Sequence, residues 1–155
     1  EQGLSWPTII NDLAIIKARA GVSELWLELG RYAVAEMGYY VTSVVDRKQN
    51  FQQQQLVLAG GINHLLRPAI TEQPFPVAML RESTATPCYF DLHGPLCTSL
   101  DKLGTLALVF CLSGAYGFTE SMPFFLCHQV AAEYVLQQGK IEQVRAVAPA
   151  SWYLR

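Results

Sequence analysis

From Tyr39 onward, turn-forming residues interrupt the chain so often that no long helix fits between them. Asn50, Gly60-Gly61, Pro74, Thr86-Pro87, Gly94-Pro95, Gly104 and Gly114 separate short runs rich in β-branched and aromatic residues. These runs are Tyr39 to Asp46, Gln54 to Ala59, Pro76 to Arg81, Cys88 to Leu92, Leu106 to Leu112, Phe124 to Cys127 and Glu133 to Leu136. A last strand is predicted from Lys140 to Val147, after a turn at Gln138-Gly139. Many short strands at such spacing predict an antiparallel barrel or sandwich. Gln52 to Gln55 reads as a hairpin tip or strand edge.

The first 38 residues follow another pattern. Ser5-Trp6-Pro7 is a helix start, with Ser5 as N-cap and Pro7 in the first turn, and Gly21 closes the helix that carries Ile9, Leu13 and Ile16. Glu24 to Glu28 reads as a strand with Leu25, Trp26 and Leu27 buried on both faces, the pattern of a parallel α/β unit. The expected architecture is therefore mainly β. Residues 1–38 read as the tail of an α/β domain, and residues 39–155 as a C-terminal β-barrel or sandwich domain.

Composition narrows the function. A formal net charge of −2 lacks the basic face that nucleic acid requires. No apolar run approaches the roughly 20 residues that span a bilayer. Hydrophobic residues make up 51% and charged residues 15%, so part of the surface is expected to be covered by something else. The four cysteines (Cys88, Cys97, Cys111, Cys127) show no CxxC spacing. They read as reduced thiols of a cytoplasmic protein, with no metal site. The start, Glu1-Gln2-Gly3, reads as a cut end or a chain whose beginning is missing.

Three stretches carry residues suited to chemistry. In Gly94-Pro95-Leu96-Cys97-Thr98-Ser99-Leu100-Asp101 a cysteine sits on a Gly-Pro turn between small hydroxyl residues and an acid, a placement for use more than for packing. A buried, inert thiol is the alternative. Glu28-Leu29-Gly30-Arg31 ends the expected first strand, where α/β folds place ligand groups. A carboxylate, a bare backbone and a guanidinium there suit a ligand with a basic nitrogen and a phosphate; a solvated ion pair is the alternative. In Gly114-Ala115-Tyr116-Gly117, two glycines let the backbone approach a ligand while the hydroxyl donates. A tyrosine-bearing turn at a barrel rim reads equally well.

In this order, the stretches resemble the C-terminal part of the pyridoxal-phosphate-dependent decarboxylases of the ornithine, diaminopimelate and arginine group. That group pairs an alanine-racemase-like, TIM-like α/β barrel with a C-terminal β domain, which implies that residues 1–38 are the last helix and strand of the barrel. The resemblance runs from about Glu24 to Arg145. It rests on Glu28-Leu29-Gly30-Arg31-Tyr32, on Ala59-Gly60-Gly61-Ile62-Asn63 with Leu66-Arg67-Pro68, on Gly94-Pro95-Leu96-Cys97 with Asp101, on Gly114-Ala115-Tyr116 and on Ala132-Glu133. It implies pyridoxal 5′-phosphate as cofactor and a homodimer with shared active sites. Glu28 would hold the pyridine nitrogen, Gly30 and Arg31 the phosphate, and Tyr116 would donate its hydroxyl to that phosphate. Cys97 would reach into the partner subunit's site and reprotonate the substrate α-carbon; an ordinary thiol, mostly protonated at neutral pH, suits that role. Arg67 matches an arginine that binds a substrate carboxylate, and Thr98 and Asp101 complete the substrate-binding set. His64 reads as a structural or rim histidine.

The departures are informative. None of Lys17, Lys48, Lys102 or Lys140 matches the family's cofactor-binding lysine, which lies on an early barrel strand, so this chain alone is not expected to be active. Leu29 stands where the family has proline, and Ala59 where it has aspartate. Leu108 and Val109 join directly where the family has a longer connection. After the cysteine, ornithine-type enzymes carry Asp and diaminopimelate-type enzymes Glu, paired with the substrate's distal ammonium. Thr98 offers no such counter-charge, and an unpaired buried ammonium is costly. The expected substrate is therefore acidic, or an aminoacyl group tethered to a carrier protein. Other readings are a decarboxylase-like regulatory homologue without catalysis and, third, an alanine racemase.

Overall fold

The computed structural model describes residues 5–80, 84, 88–105, 109–149 and 151. Helix α1 spans Trp6–Ala20 between the caps read from the sequence: Ser5 is extended at the N-cap, and Gly21, with φ 65°, donates its N–H to Ala18 O. Lys17 and Arg19 in the last turn complement the negative end of the helix dipole. None of its residues is buried. It is tied to the next helix, α2 (Gly30–Val34), by Trp6 Nε1, which donates to the Tyr32 hydroxyl at 3.0 Å.

Between the two helices the expected strand is not formed. Residues 24–28 have no ladder partner among the described residues, and Leu25, Trp26 and Leu27 are exposed instead of buried on both faces. A strand satisfies its N–H and C=O groups only against a neighbouring strand, and none is supplied here.

Nine strands follow among the described residues: β1 (Tyr40–Val41), β2 (Val44–Asn50), β3 (Gln53–Leu58), β4 (Val77–Ala78), β5 (Asp91–His93), β6 (Lys102–Thr105), β7 (Val109–Phe110), β8 (Glu133–Gln137) and β9 (Lys140–Arg145). They form a three-stranded sheet in the order β1-β7-β4, a four-stranded sheet β2-β3-β5-β6 and a separate hairpin β8-β9. Among the described residues no sheet closes into a barrel, and the pairing is mixed, since β3 and β5 run parallel. The expectation of a closed, wholly antiparallel arrangement is corrected accordingly: spacing reports strand lengths, not strand neighbours.

The hairpins match expectation. The glutamine run lies at the start of β3, and the β2–β3 tip is Phe51-Gln52. The β8–β9 tip is Gln138-Gly139, with φ 51° and 76°, the positive pair that a type I′ turn needs. Two local readings fail, and one helix is unanticipated. Phe124–Cys127 is no strand; Phe125–Cys127 is a 3₁₀ turn with Leu126 and Cys127 at φ 53° and 58°. Gly104 lies within β6 at φ 137°, not in a turn between strands. A helix α3 (Arg67–Thr71) begins at Arg67, and Pro68 fits its first turn because no backbone N–H is needed there. Arg81, Thr86-Pro87 and the Leu108 side of the Leu108–Val109 junction lie outside the described residues.

The core draws on both larger sheets. Phe110 shares one buried cluster with Leu58, Leu92 and Leu103, and the loop residues Ile62, Leu65, Phe75 and Leu96 complete it. Loops that feed buried side chains into a core are held in place by them, and two of these loops carry the residues considered next.

Candidate active site

Cys97 is exposed on a turn pinned from both sides. Leu96, one residue before it, is buried in the core, and Asp101, four residues after it, is 2% exposed. Asp101 Oδ2 accepts the Leu96 N–H at 2.7 Å and Oδ1 accepts the Ile62 N–H at 2.8 Å. The Gly94 N–H donates to the Asp101 carbonyl at 3.0 Å. A Cβ on Gly61 or Gly94 would overlap the same carboxylate, so the close approach of these two turns requires glycine. Asp101, expected among the substrate-binding residues, has both oxygens engaged inside the chain and fastens the Cys97 turn to the Gly60-Gly61 turn. Thr98 helps to shape that turn, its hydroxyl accepting the Leu100 N–H at 3.3 Å.

A second group forms around Tyr116. The Gly114 N–H donates to Ala35 O at 3.0 Å and the Ser113 N–H to Gly38 O at 2.8 Å, which brings the 113–117 turn to the end of α2. A Cβ on Gly30 would lie 3.8 Å from the Tyr116 hydroxyl, so the two expected phosphate-binding positions stand side by side. Tyr116 itself has φ 64°. Arg31 stacks its guanidinium 5.0 Å from the Phe75 ring centre. Its Nη1 is buried with no hydrogen-bond partner among the described residues. A buried guanidinium nitrogen without an acceptor is unusual and fits a site for an anion such as a phosphate. Glu28 is exposed on the extended segment before α2.

Arg67 belongs to the same group, its guanidinium 5.9 Å from the Tyr116 ring centre. The structure adds a residue that sequence reasoning missed: Glu120 accepts from Arg67 Nη1 with both oxygens, at 3.0 and 2.8 Å. These residues lie 53 positions apart, and no local pattern couples them. The structure thus joins Gly30, Tyr116, Arg67 and Glu120. Cys97 and Thr98 share no hydrogen bond or ion pair with that group among the described residues.

His64 also has a defined place. Its Nε2 lies 3.1 Å from Gln129 O and its Nδ1 3.0 Å from the Tyr40 hydroxyl. A carbonyl can only accept, so Nε2 carries the proton and Nδ1 accepts from Tyr40. Burial pushes the His64 pKa down, which outweighs the opposing pull of the Gln129 carbonyl, and burial pushes the Tyr40 hydroxyl up to about 12. Both groups are held neutral. This agrees with the structural reading of His64.

Two clefts, of about 530 and 410 Å³, open elsewhere on the chain, and neither is lined by Cys97, Gly30, Arg31 or Tyr116. Among the described residues no cluster of three or more His, Cys, Asp or Glu side chains is arranged to hold a metal. No helix among them is long and apolar enough to cross a membrane.

The fold and these residues define a class. Residues 29–112, more than half of the chain, match the pyridoxal-dependent decarboxylase C-terminal sheet domain, and the chain belongs to that family. It is 31% identical over 129 residues to the diaminopimelate decarboxylase of Campylobacter jejuni, covering 77% of this chain and 32% of that one. It is 30% identical over 137 residues to the L-glutamyl-[BtrI acyl-carrier protein] decarboxylase of Niallia circulans, again covering 77% and 32%. The crystal structure of diaminopimelate decarboxylase from Helicobacter pylori complexed with L-lysine superimposes with a TM-score of 0.67 at 26% identity, over 80% of this chain and 33% of that one. The chain spans about a third of the length of these relatives.

Proposed function

We propose that this chain is the C-terminal portion of a pyridoxal-phosphate-dependent amino-acid decarboxylase. Its substrate is an acidic or carrier-tethered aminoacyl group rather than a diamino acid. In this reading residues 1–38 close the cofactor-binding barrel, and residues 39–155 form the β domain that completes the site across a homodimer. The observation that carries the proposal is the buried Nη1 of Arg31, without a partner among the described residues and one residue from a glycine that faces the Tyr116 hydroxyl.

The cofactor supplies an electron-accepting ring for the electrons left when CO₂ departs. Arg31 binds its phosphate through charge-assisted hydrogen bonds, Gly30 admits that phosphate to the backbone, and Tyr116 donates its hydroxyl to it. Glu28 holds a proton on the pyridine nitrogen. Cys97 carries the proton that returns to the substrate α-carbon, and its exposure on this chain suits a site completed by a second subunit. Asp101 serves from behind, as the positioning residue of the Cys97 turn. Thr98 leaves the substrate's far end without an acidic partner, and a relative that acts on a carrier-bound glutamyl group supports the same substrate class.

The test uses the full-length protein with its upstream barrel. Added pyridoxal phosphate should give an absorbance band near the visible edge that borohydride removes. Arg31→Ala and Tyr116→Phe should each weaken cofactor binding, the first by roughly 10- to 100-fold, as for a lost hydrogen bond to a charge. A full-length protein that shows no band would favour a regulatory homologue without catalysis.

A further inference from the structure

Arg67, which the family resemblance assigns to an anionic group of the substrate, already has a counter-ion within the chain. Glu120 holds its Nη1 with both oxygens, at 2.8 and 3.0 Å, and the two side chains are only 31% and 32% exposed. Glu120 is fixed there by its backbone. Its own N–H donates to Tyr116 O at 3.1 Å, and the Met122 N–H donates to Ile62 O at 3.3 Å. The Ser121 hydroxyl lies 3.1 Å from His64 O. Segment 116–122 is thereby laced to segment 62–67, with the ion pair at its end beside Tyr116. Asp101, the acid of the Cys97 turn, has both oxygens occupied by backbone N–H groups. Thr98 is uncharged.

We infer that the Arg67–Glu120 pair makes this end of the substrate site electrically neutral. The substrate's distal group is accordingly an uncharged amide or thioester carbonyl. This rests on the decarboxylase reading above and narrows its substrate class. Among the described residues at this end of the site, the carboxylates of Asp101 and Glu120 are both already engaged and offer a distal ammonium no free partner. A distal carboxylate must displace Glu120 from Arg67 and leave that acid without a partner. A neutral carbonyl needs neither, because it can accept from another guanidinium N–H while the pair stays closed. An acyl group joined to a carrier through a thioester or amide presents such a carbonyl and no terminal charge. Glu120 is thus a specificity-determining residue, acting through Arg67.

The inference is tested on the full-length, cofactor-loaded protein by calorimetric binding of two unreactive probes, glutarate and its monoamide, glutaramate. Wild type should bind glutaramate more tightly. Glu120→Gln keeps a hydrogen-bonding partner for Arg67 but removes the charge, and should shift the ratio toward glutarate by about fivefold, the scale of a partly exposed ion pair. Glu120→Asp, which retains the charge, should keep the wild-type order. Tighter binding of glutarate by wild type, or a ratio that Glu120→Gln leaves unmoved, would overturn the inference. Turnover of lysine above glutamine would instead overturn the substrate reading beneath it, so the two failures are distinguishable.

Discussion

The Leu96 N–H and Asp101 Oδ2 lie 2.7 Å apart, and this bond closes the turn that presents Cys97. The second oxygen of Asp101 holds Ile62 in the neighbouring turn. In Asp101→Asn one oxygen becomes an NH₂ group, so one of the two buried N–H donors faces another donor. An unsatisfied buried group costs about 1–3 kcal/mol, and the urea midpoint should fall accordingly. Pyridoxal phosphate affinity should hold while kcat drops, because the cofactor-binding group is elsewhere. An equal loss of cofactor affinity would mean that Asp101 serves the whole site and not the Cys97 turn.

Stability should decline on both sides of neutrality because burial lowers the His64 pKa and raises that of Tyr40, two side chains that are hydrogen-bonded to each other. The folded His64 pKa lies below its ordinary 6.5, so the unfolded chain binds the extra proton first. Its contribution is complete above about pH 6.5 and is lost as pH falls from there toward the folded pKa. For Tyr40 the shift is upward, from 10.0 to about 12, so its contribution is complete below pH 10 and is lost as pH rises to about 12. Denaturant midpoints across pH should therefore show an acid limb flattened by His64→Gln and an alkaline limb flattened by Tyr40→Phe. Limbs unchanged in both variants would assign the pH dependence to other groups.

Shared active sites predict complementation between inactive subunits. Full-length Cys97→Ala protein, mixed with full-length protein that lacks the cofactor-binding lysine, should regain part of the activity, since one site of each mixed dimer would be intact. Subunit exchange followed by mass spectrometry provides the control. Exchange without recovery would show that each site is built from one chain.

What the sequence determined by itself was local or carried by motifs. The Ser5, Pro7 and Gly21 signals bound α1 because caps act through the φ/ψ of single residues. Gln138-Gly139 closes a hairpin for the same reason, and the glutamine run falls on a strand next to its tip. The family was legible because several short motifs recur in order over most of the chain. Tertiary structure decided what depends on distant neighbours. Leu25 to Leu27 look like a buried strand, yet no described strand lies beside them. Periodicity does not reveal that β3 and β5 run parallel, since both directions give the same alternation. The acid of the Cys97 motif could have faced a ligand or the chain; only the approach of Ile62, 39 residues away, turns it inward. Arg67 could have been an open anion site, but its charge is balanced by Glu120, brought to it by a loop folded back across 53 residues. A side chain's type fixes which partners it can take, and the path of the chain fixes which one it meets.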